Sequence, residues 1–271
     1  MKKQLPILSL FLFFFFFILL ANQVNAQNFN FQKAYDDYLH NYNQYRQANT
    51  EFISAKQAYL NYQTLNSKEN ALNKTSNLIR REDEVVKTYL TALRLKLGQI
   101  SSISDYELNI IYLKIDNEVA WYQNHQNNLN STGSLEDLVK SSQTMKQRYQ
   151  ETEVLAYQTL GSILAGKQAY YRIQIKQQID SLKEKIGIIR QTGDKETQTA
   201  ERWLLEAENR LTRSQEKEFE AQQILAKMKV SDINKIRDYN QAQYKIEESH
   251  QYLKEANHYL KEIIQEVKNA D

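Results

Sequence analysis

Cysteine is missing from all 271 residues, and that one absence removes several possibilities at once. No disulfide can form, no thiolate can hold a metal or attack a substrate, and no lipid can be attached through sulfur. Proline is nearly missing too: Pro6 is the only one, and glycine occurs six times. A β-sheet protein relies on both residues to punctuate its turns, so this chain points instead to long, rarely interrupted helices. Beyond residue 26 long apolar runs are also lacking; "NIIYL" and "SILAG" are among the longest. No transmembrane segment is expected after that point, nor the concealed apolar hairpin of a helical pore former.

The last thing lacking is an excess of one charge. The 35 basic and 33 acidic residues balance once Lys2 and Lys3 are set aside. Nucleic-acid binders use a clustered basic excess to neutralise phosphates, so nucleic acid is not an expected partner. A nearly neutral surface does little to oppose self-association, and protein partners or self-association are the expected contacts.

What the chain does have begins with "MKKQLPILSLFLFFFFFILLANQVNA". Lys2 and Lys3 precede the apolar stretch Ile7 to Ala21, and Val24-Asn25-Ala26 offers the small residues a signal peptidase requires. The apolar stretch is about 15 residues, short of the roughly 20 that span a bilayer as a helix. Residues 1–26 are therefore expected to be a cleaved signal peptide. The mature chain would start near Gln27 and be secreted, periplasmic or extracellular. With no disulfides, its stability must come from buried apolar surface.

The patterning predicts six helices. The first covers about 29–65, and the second about 68–101 with Ser67 as cap. Val86, Leu90, Leu93, Leu97 and Ile100 line one face of the second helix. Ser104 with Glu107 makes a capping box for a third helix, whose face carries Leu108, Ile111, Ile115, Val119, Tyr122 and Leu129. Gly133 ends that helix, and Ser134 with Asp137 opens a fourth that meets no strong breaker before Gly193. Gly161 and Gly166 near its middle raise the question of a bend. A fifth helix fills about 195–229, and Ser231 is expected to cap the sixth. The fold class is all-α: an elongated antiparallel bundle or coiled-coil rod of about six helices, with the long fourth as shared centre. Residues 27–160 would form a tyrosine-rich N-terminal bundle, and 161–271 a three-helix coiled coil.

Within the first helix, Tyr35, Tyr38, Tyr42 and Tyr45 step by three and four residues, and Phe31 and Phe52 continue the series. The period near 3.5 suits a packed seam, in which each ring is buried and its hydroxyl passes to the rim. Because Leu39, Ile53 and Leu60 are too few and too scattered to dock this helix, the stripe is expected to be mostly core. Polar edges could still leave a ligand groove at these four tyrosines. In the fifth and sixth helices large and small residues alternate: Leu204, Leu211 and Leu225 with Ala200, Ala207, Ser214, Ala221 and Met228. Their counterparts are Ile246, Leu253 and Leu260 with Ala242, Ser249, Ala256 and Ile263. This predicts a tight hairpin against Ile175, Ile179, Leu182, Ile186 and Ile189. Glu218 stands where the series calls for leucine; either the pattern slips to Phe219 or the carboxylate reaches solvent.

Candidate chemistry is sparse. Glu255-x-x-His258 and Asp37-x-x-His40 have the spacing of a di-iron bundle ligand pair. The heptad register puts all four at outward positions, so no metal is expected. His125 and His250 have no acidic residue four positions away and are expected at the rim. Serine-hydrolase, phosphate-loop and zinc spacings are absent. The sequence thus predicts a secreted, non-enzymatic helical bundle with a structural or protein-binding role at the cell surface or in the periplasm, and no cofactor. The second reading is a carrier or sensor-like bundle that takes a small apolar or aromatic ligand between its helices.

Overall fold

A computed structural model describes residues 30–129, 133–193 and 196–268; the signal-peptide expectation for residues 1–26 lies outside them. Six helices and no strand occur among the described residues. They are α1 (Phe31–Tyr62), α2 (Leu65–Leu97), α3 (Asp105–Asn128), α4 (Leu135–Thr192), α5 (Gln198–Lys227) and α6 (Lys235–Lys268). Each packs antiparallel to the next, as cross-helix pairs show: Glu51 with Lys74, Asp83 with His125, Glu118 with Arg148, Lys183 with Glu208. The all-α bundle expected from the sequence is the observed fold.

Local chemistry sets most boundaries. Ser104 caps α3 by accepting the Glu107 N–H at 3.3 Å, and Ser134 caps α4 by accepting that of Asp137 at 3.1 Å. α4 ends on Gly193, whose φ of 73° is the left-handed cap that glycine adopts without strain. Three boundaries differ from expectation. The cap of α2 is Thr64, which accepts the Ser67 N–H at 3.2 Å, because only two residues link α1 to α2. Gln63 makes that link by taking a left-handed φ of 50°. α3 stops at Asn128, before Gly133. The sixth helix begins at Lys235 over the Asn234 carbonyl, while the Asp232 carboxylate, rather than Ser231, closes the preceding turn on the Lys229 N–H.

The packing of α1 overturns the tyrosine-core expectation. Its buried residues are Ala34, Ala48 and Ala55, whereas Tyr35 and Tyr42 are 40% and 42% exposed and Tyr38 and Tyr45 half-buried. Three contacts fix its register on α2: Lys96 over Phe31, Tyr38 against Tyr89, and Glu51 with Lys74. In that register Ala34, Ala48 and Ala55 lie level with Ala92, Leu78 and Ala71, all buried. Small residues let the two backbones approach, so backbone and Cβ contacts replace the large side chains a looser seam would need. The tyrosines are displaced to the edge of the seam. On its other side α2 buries Val86, Leu90, Leu93 and Leu97 against α3 and α4, as the pattern predicted.

α4 runs as one helix through Gly161 and Gly166, about 87 Å at 1.5 Å per residue. The two glycines serve close approach. A Cβ on Gly161 would stand 2.0 Å from the Leu225 side chain, and one on Gly166 2.5 Å from Ile100. Around this point α4 serves two clusters, Leu155 and Ile163 facing α2 and α3, Val154 and Leu164 facing α5 and α6.

The α5–α6 hairpin is as tight as its alternation implied. Ser214 and Ser249 share a buried 2.8 Å hydrogen bond. Seven residues away lie Ala207 with Ala256 on one side and Ala221 with Ala242 on the other, all buried. Glu218 follows neither expected course. It is buried at 7% exposure and ion-paired with Arg172 of α4, while Phe219 stays 59% exposed. The pattern does not slip because α4 supplies the guanidinium that the carboxylate needs when taken from water. Glu218→Ala should therefore cost about 3 kcal/mol in urea unfolding by stranding Arg172, and Ala256→Leu about 1–3 kcal/mol by overpacking. Leu205→Ala, at a site 57% exposed, should change stability by less than about 0.5 kcal/mol.

Candidate functional site

Residues three and four apart on a helix stand over one another, so the tyrosines of α1 form a ladder. Ring centroids lie 6.0 Å apart for Tyr35 and Tyr38, 6.2 Å for Tyr38 and Tyr42, and 6.2 Å for Tyr42 and Tyr45. Tyr89 of α2 joins at 5.3 Å from Tyr38, and burial pushes its hydroxyl up to about 12. Farther along, Tyr157 of α4 stacks on Tyr239 of α6 at 4.9 Å.

Beside the ladder, α1, α2 and α4 leave a groove of about 390 Å³. Tyr42 and Tyr45 form one wall, Val85 and Val86 the floor, and Met145 and Tyr149 the other wall. Two of the four tyrosines proposed from the sequence, Tyr42 and Tyr45, line it; Tyr35 and Tyr38 belong to the ladder. No local spacing marks Tyr149, which reaches the groove from a helix about a hundred residues away.

Glu82 also lines the groove. Burial, with the neighbouring Asp83 charge as second cause, pushes its carboxyl up to about 7. Among the described residues no hydrogen bond or ion pair engages it. Among the described residues Lys146 is the one cation lining the groove; it is exposed and forms no ion pair with Glu82. Consecutive helix residues point about 100° apart, so Glu82 faces the groove while Asp83 turns into the bundle.

Asp83 is fully buried and accepts from His125 Nδ1 at 2.9 and 3.0 Å; His125 Nε2 lies 2.7 Å from Ser141 Oγ. Trp121 stacks on the imidazole with centroids 5.0 Å apart. His125 is thus no rim residue: its carboxylate comes from another helix, which a search at four-residue spacing along one helix does not reach. The connectivity is that of a serine-hydrolase triad, without the oxyanion donors that acyl transfer needs. Ser141 sits two turns into α4, where the helix consumes its N–H groups, so the free donors an oxyanion hole needs are not beside it. Burial alone would lower the His125 pKa, but the Asp83 hydrogen bond and charge outweigh it and raise the value. A second buried network, Glu118 with Arg148 and Thr152, and Thr152 with Tyr122, continues this polar tie between α3 and α4.

The remaining candidates are at the surface. The His258 side chain is 70% exposed, and Glu255 pairs with Arg210 at 3.3 Å. His40 is exposed, and Asp37 half-buried. His250 meets Gln168 at 3.2 Å. Among the described residues no group of three or more His, Asp or Glu side chains is arranged to hold a metal ion. No helix there is long and apolar enough to cross a membrane. A larger groove of about 640 Å³ lies between α3, α4 and α5, but its charged groups, Glu107 and Lys114, stand in solvent. Convergent aromatic and ionisable groups single out the tyrosine groove. Compared with protein-family models, curated proteins and solved structures, the chain matches none.

The buried acids give stability a definite pH dependence. Burial raises Glu82 to about 7 and raises Asp83, although His125 pulls Asp83 down. The folded state therefore binds more protons than the unfolded one above pH 4.5. The raised His125 pKa extends that excess above pH 6.5. All three make stability fall as pH rises. Tm by calorimetry should be about 3–6 °C lower at pH 8 than at pH 5.5. Glu82→Gln should narrow the difference; a flat or rising wild-type profile would contradict the burial of these groups.

Proposed function

We propose that this is an exported, non-enzymatic helical-bundle protein that binds a small apolar or aromatic ligand in the groove between α1, α2 and α4. The observation that carries the reading is the position of the tyrosines. A helix docked through alanines holds its aromatic rings at the groove edge, partly desolvated and free to stack on a guest. The volume, about 390 Å³, is within the range of small-molecule sites. Export is supported by the basic start, apolar run and small residues of positions 1–26.

A second reading, a protein-binding or structural role at the cell surface, is favoured by the outer face of the α1–α2 hairpin. Leu39, Ile53 and Leu60 stand 40%, 56% and 56% exposed, and Tyr62 and Leu65 at the tip reach 71% and 74%. A partner helix could cover this row.

Native mass spectrometry of protein isolated from its host should show a bound small molecule. The double change Tyr42→Ala and Tyr149→Ala should reduce the occupied fraction at least tenfold with helicity unchanged. An empty wild-type protein, or equal occupancy in the variant, would overturn the ligand reading. N-terminal sequencing should begin near Gln27, and recovery of the intact chain from cytoplasm would overturn export.

A further inference from the structure

We propose that the groove is specific for an organic cation, its ammonium seated at Glu82 among the tyrosine rings and its apolar body against Val85, Val86 and Met145. The inference rests on the groove reading above and adds the class of ligand.

The charge pattern leads to it. Glu82 and Asp83 are consecutive acids on a partly buried segment, and only Asp83 has a cationic partner, His125 at 2.9 Å. Glu82 faces the groove with no donor and no ion pair among the described residues. An acid held away from water without a partner is costly, and a guest bearing positive charge would offset that cost. Lys146 does not fill this role: it is exposed at the rim, and among the described residues it forms no ion pair with Glu82.

The aromatic walls suit the same guest. Tyrosine faces carry negative quadrupole charge and attract ammonium groups, more strongly where water is excluded. Tyr42 and Tyr45 present rings from one side, and Tyr149 from the other. Val85, Val86 and Met145 supply an apolar surface for the rest of the molecule. A neutral ligand would gain the apolar contact and leave the carboxylate unanswered. An anion would meet Glu82 directly.

Binding should be linked to protons. The titratable groups around Glu82 are Tyr42 and Tyr45 from α1, Asp83 on its own helix with His125 behind it, and Lys146 and Tyr149 from α4. Near neutral pH the Glu82 carboxyl is partly protonated, so seating a cation expels a proton and binding tightens as pH rises.

The test uses 2-phenylethylammonium and its neutral analogue 2-phenylethanol, titrated calorimetrically into the full mature chain. The ammonium should bind at least tenfold more tightly than the alcohol, and more tightly at pH 7.5 than at pH 6. Glu82→Gln should remove most of the ammonium's advantage over the alcohol. Equal affinities lost together in the Tyr42→Ala, Tyr149→Ala variant would overturn the cation inference and leave the groove standing. Absence of binding by both compounds would overturn both. An ammonium affinity unmoved by Glu82→Gln in a folded variant would also overturn the assignment to this carboxylate.

Discussion

Close approach of helix backbones at small residues is the constraint from which the rest of this structure follows. No disulfide is available, and apolar side chains are scattered thinly over long polar helices. Burial therefore has to be efficient wherever helices meet. Ala34, Ala48 and Ala55 dock α1; Ser214, Ser249 and flanking alanines close the α5–α6 hairpin; Gly161 and Gly166 admit Leu225 and Ile100 against α4. In the alanine and serine seams small residues bring two backbones together, and at the two glycines a large side chain seats directly on the α4 backbone.

The candidate site is a consequence of that geometry. A seam filled by alanine has no room for a ring, so the tyrosines of α1 stand along its border. There they stack on one another and wall a groove completed by α4. The same α2 segment faces two environments at once. Asp83 enters the bundle and is answered by His125 and Ser141, whereas Glu82, one residue earlier, faces the groove unanswered. The buried Asp83–His125–Ser141 and Glu118–Arg148–Thr152 ties hold α2, α3 and α4 in register, which fixes the groove's floor against its walls. Buried polar networks are suited to specifying one arrangement among several apolar ones.

Much of the fold was legible in the sequence because helical periodicity is a local signal. Heptads in α5 and α6, the face of α2, and the serine caps of α3 and α4 are each encoded within a few residues of one another. The failures share a physical reason. Glu218, His125 and Tyr149 take their meaning from partners on other helices, and no local spacing records who those partners are. The tyrosine stripe misled for a subtler reason. Side-chain volume does not mark the core positions of α1: the companion series Ala34, Ala48, Ala55, also at heptad spacing, carries the seam. Its match on α2 at Ala71, Leu78 and Ala92 was present in the sequence and was the signal to follow.

Paired equilibrium unfolding of Ala48→Leu and Tyr42→Ala separates the two ways α1 could be held. If alanines form the seam, Ala48→Leu forces the backbones apart and loses about 1–3 kcal/mol, whereas Tyr42→Ala loses less than about 1 kcal/mol. The opposite order, with Tyr42→Ala the costlier change and Ala48→Leu tolerated, would place the tyrosines in the core and close the groove.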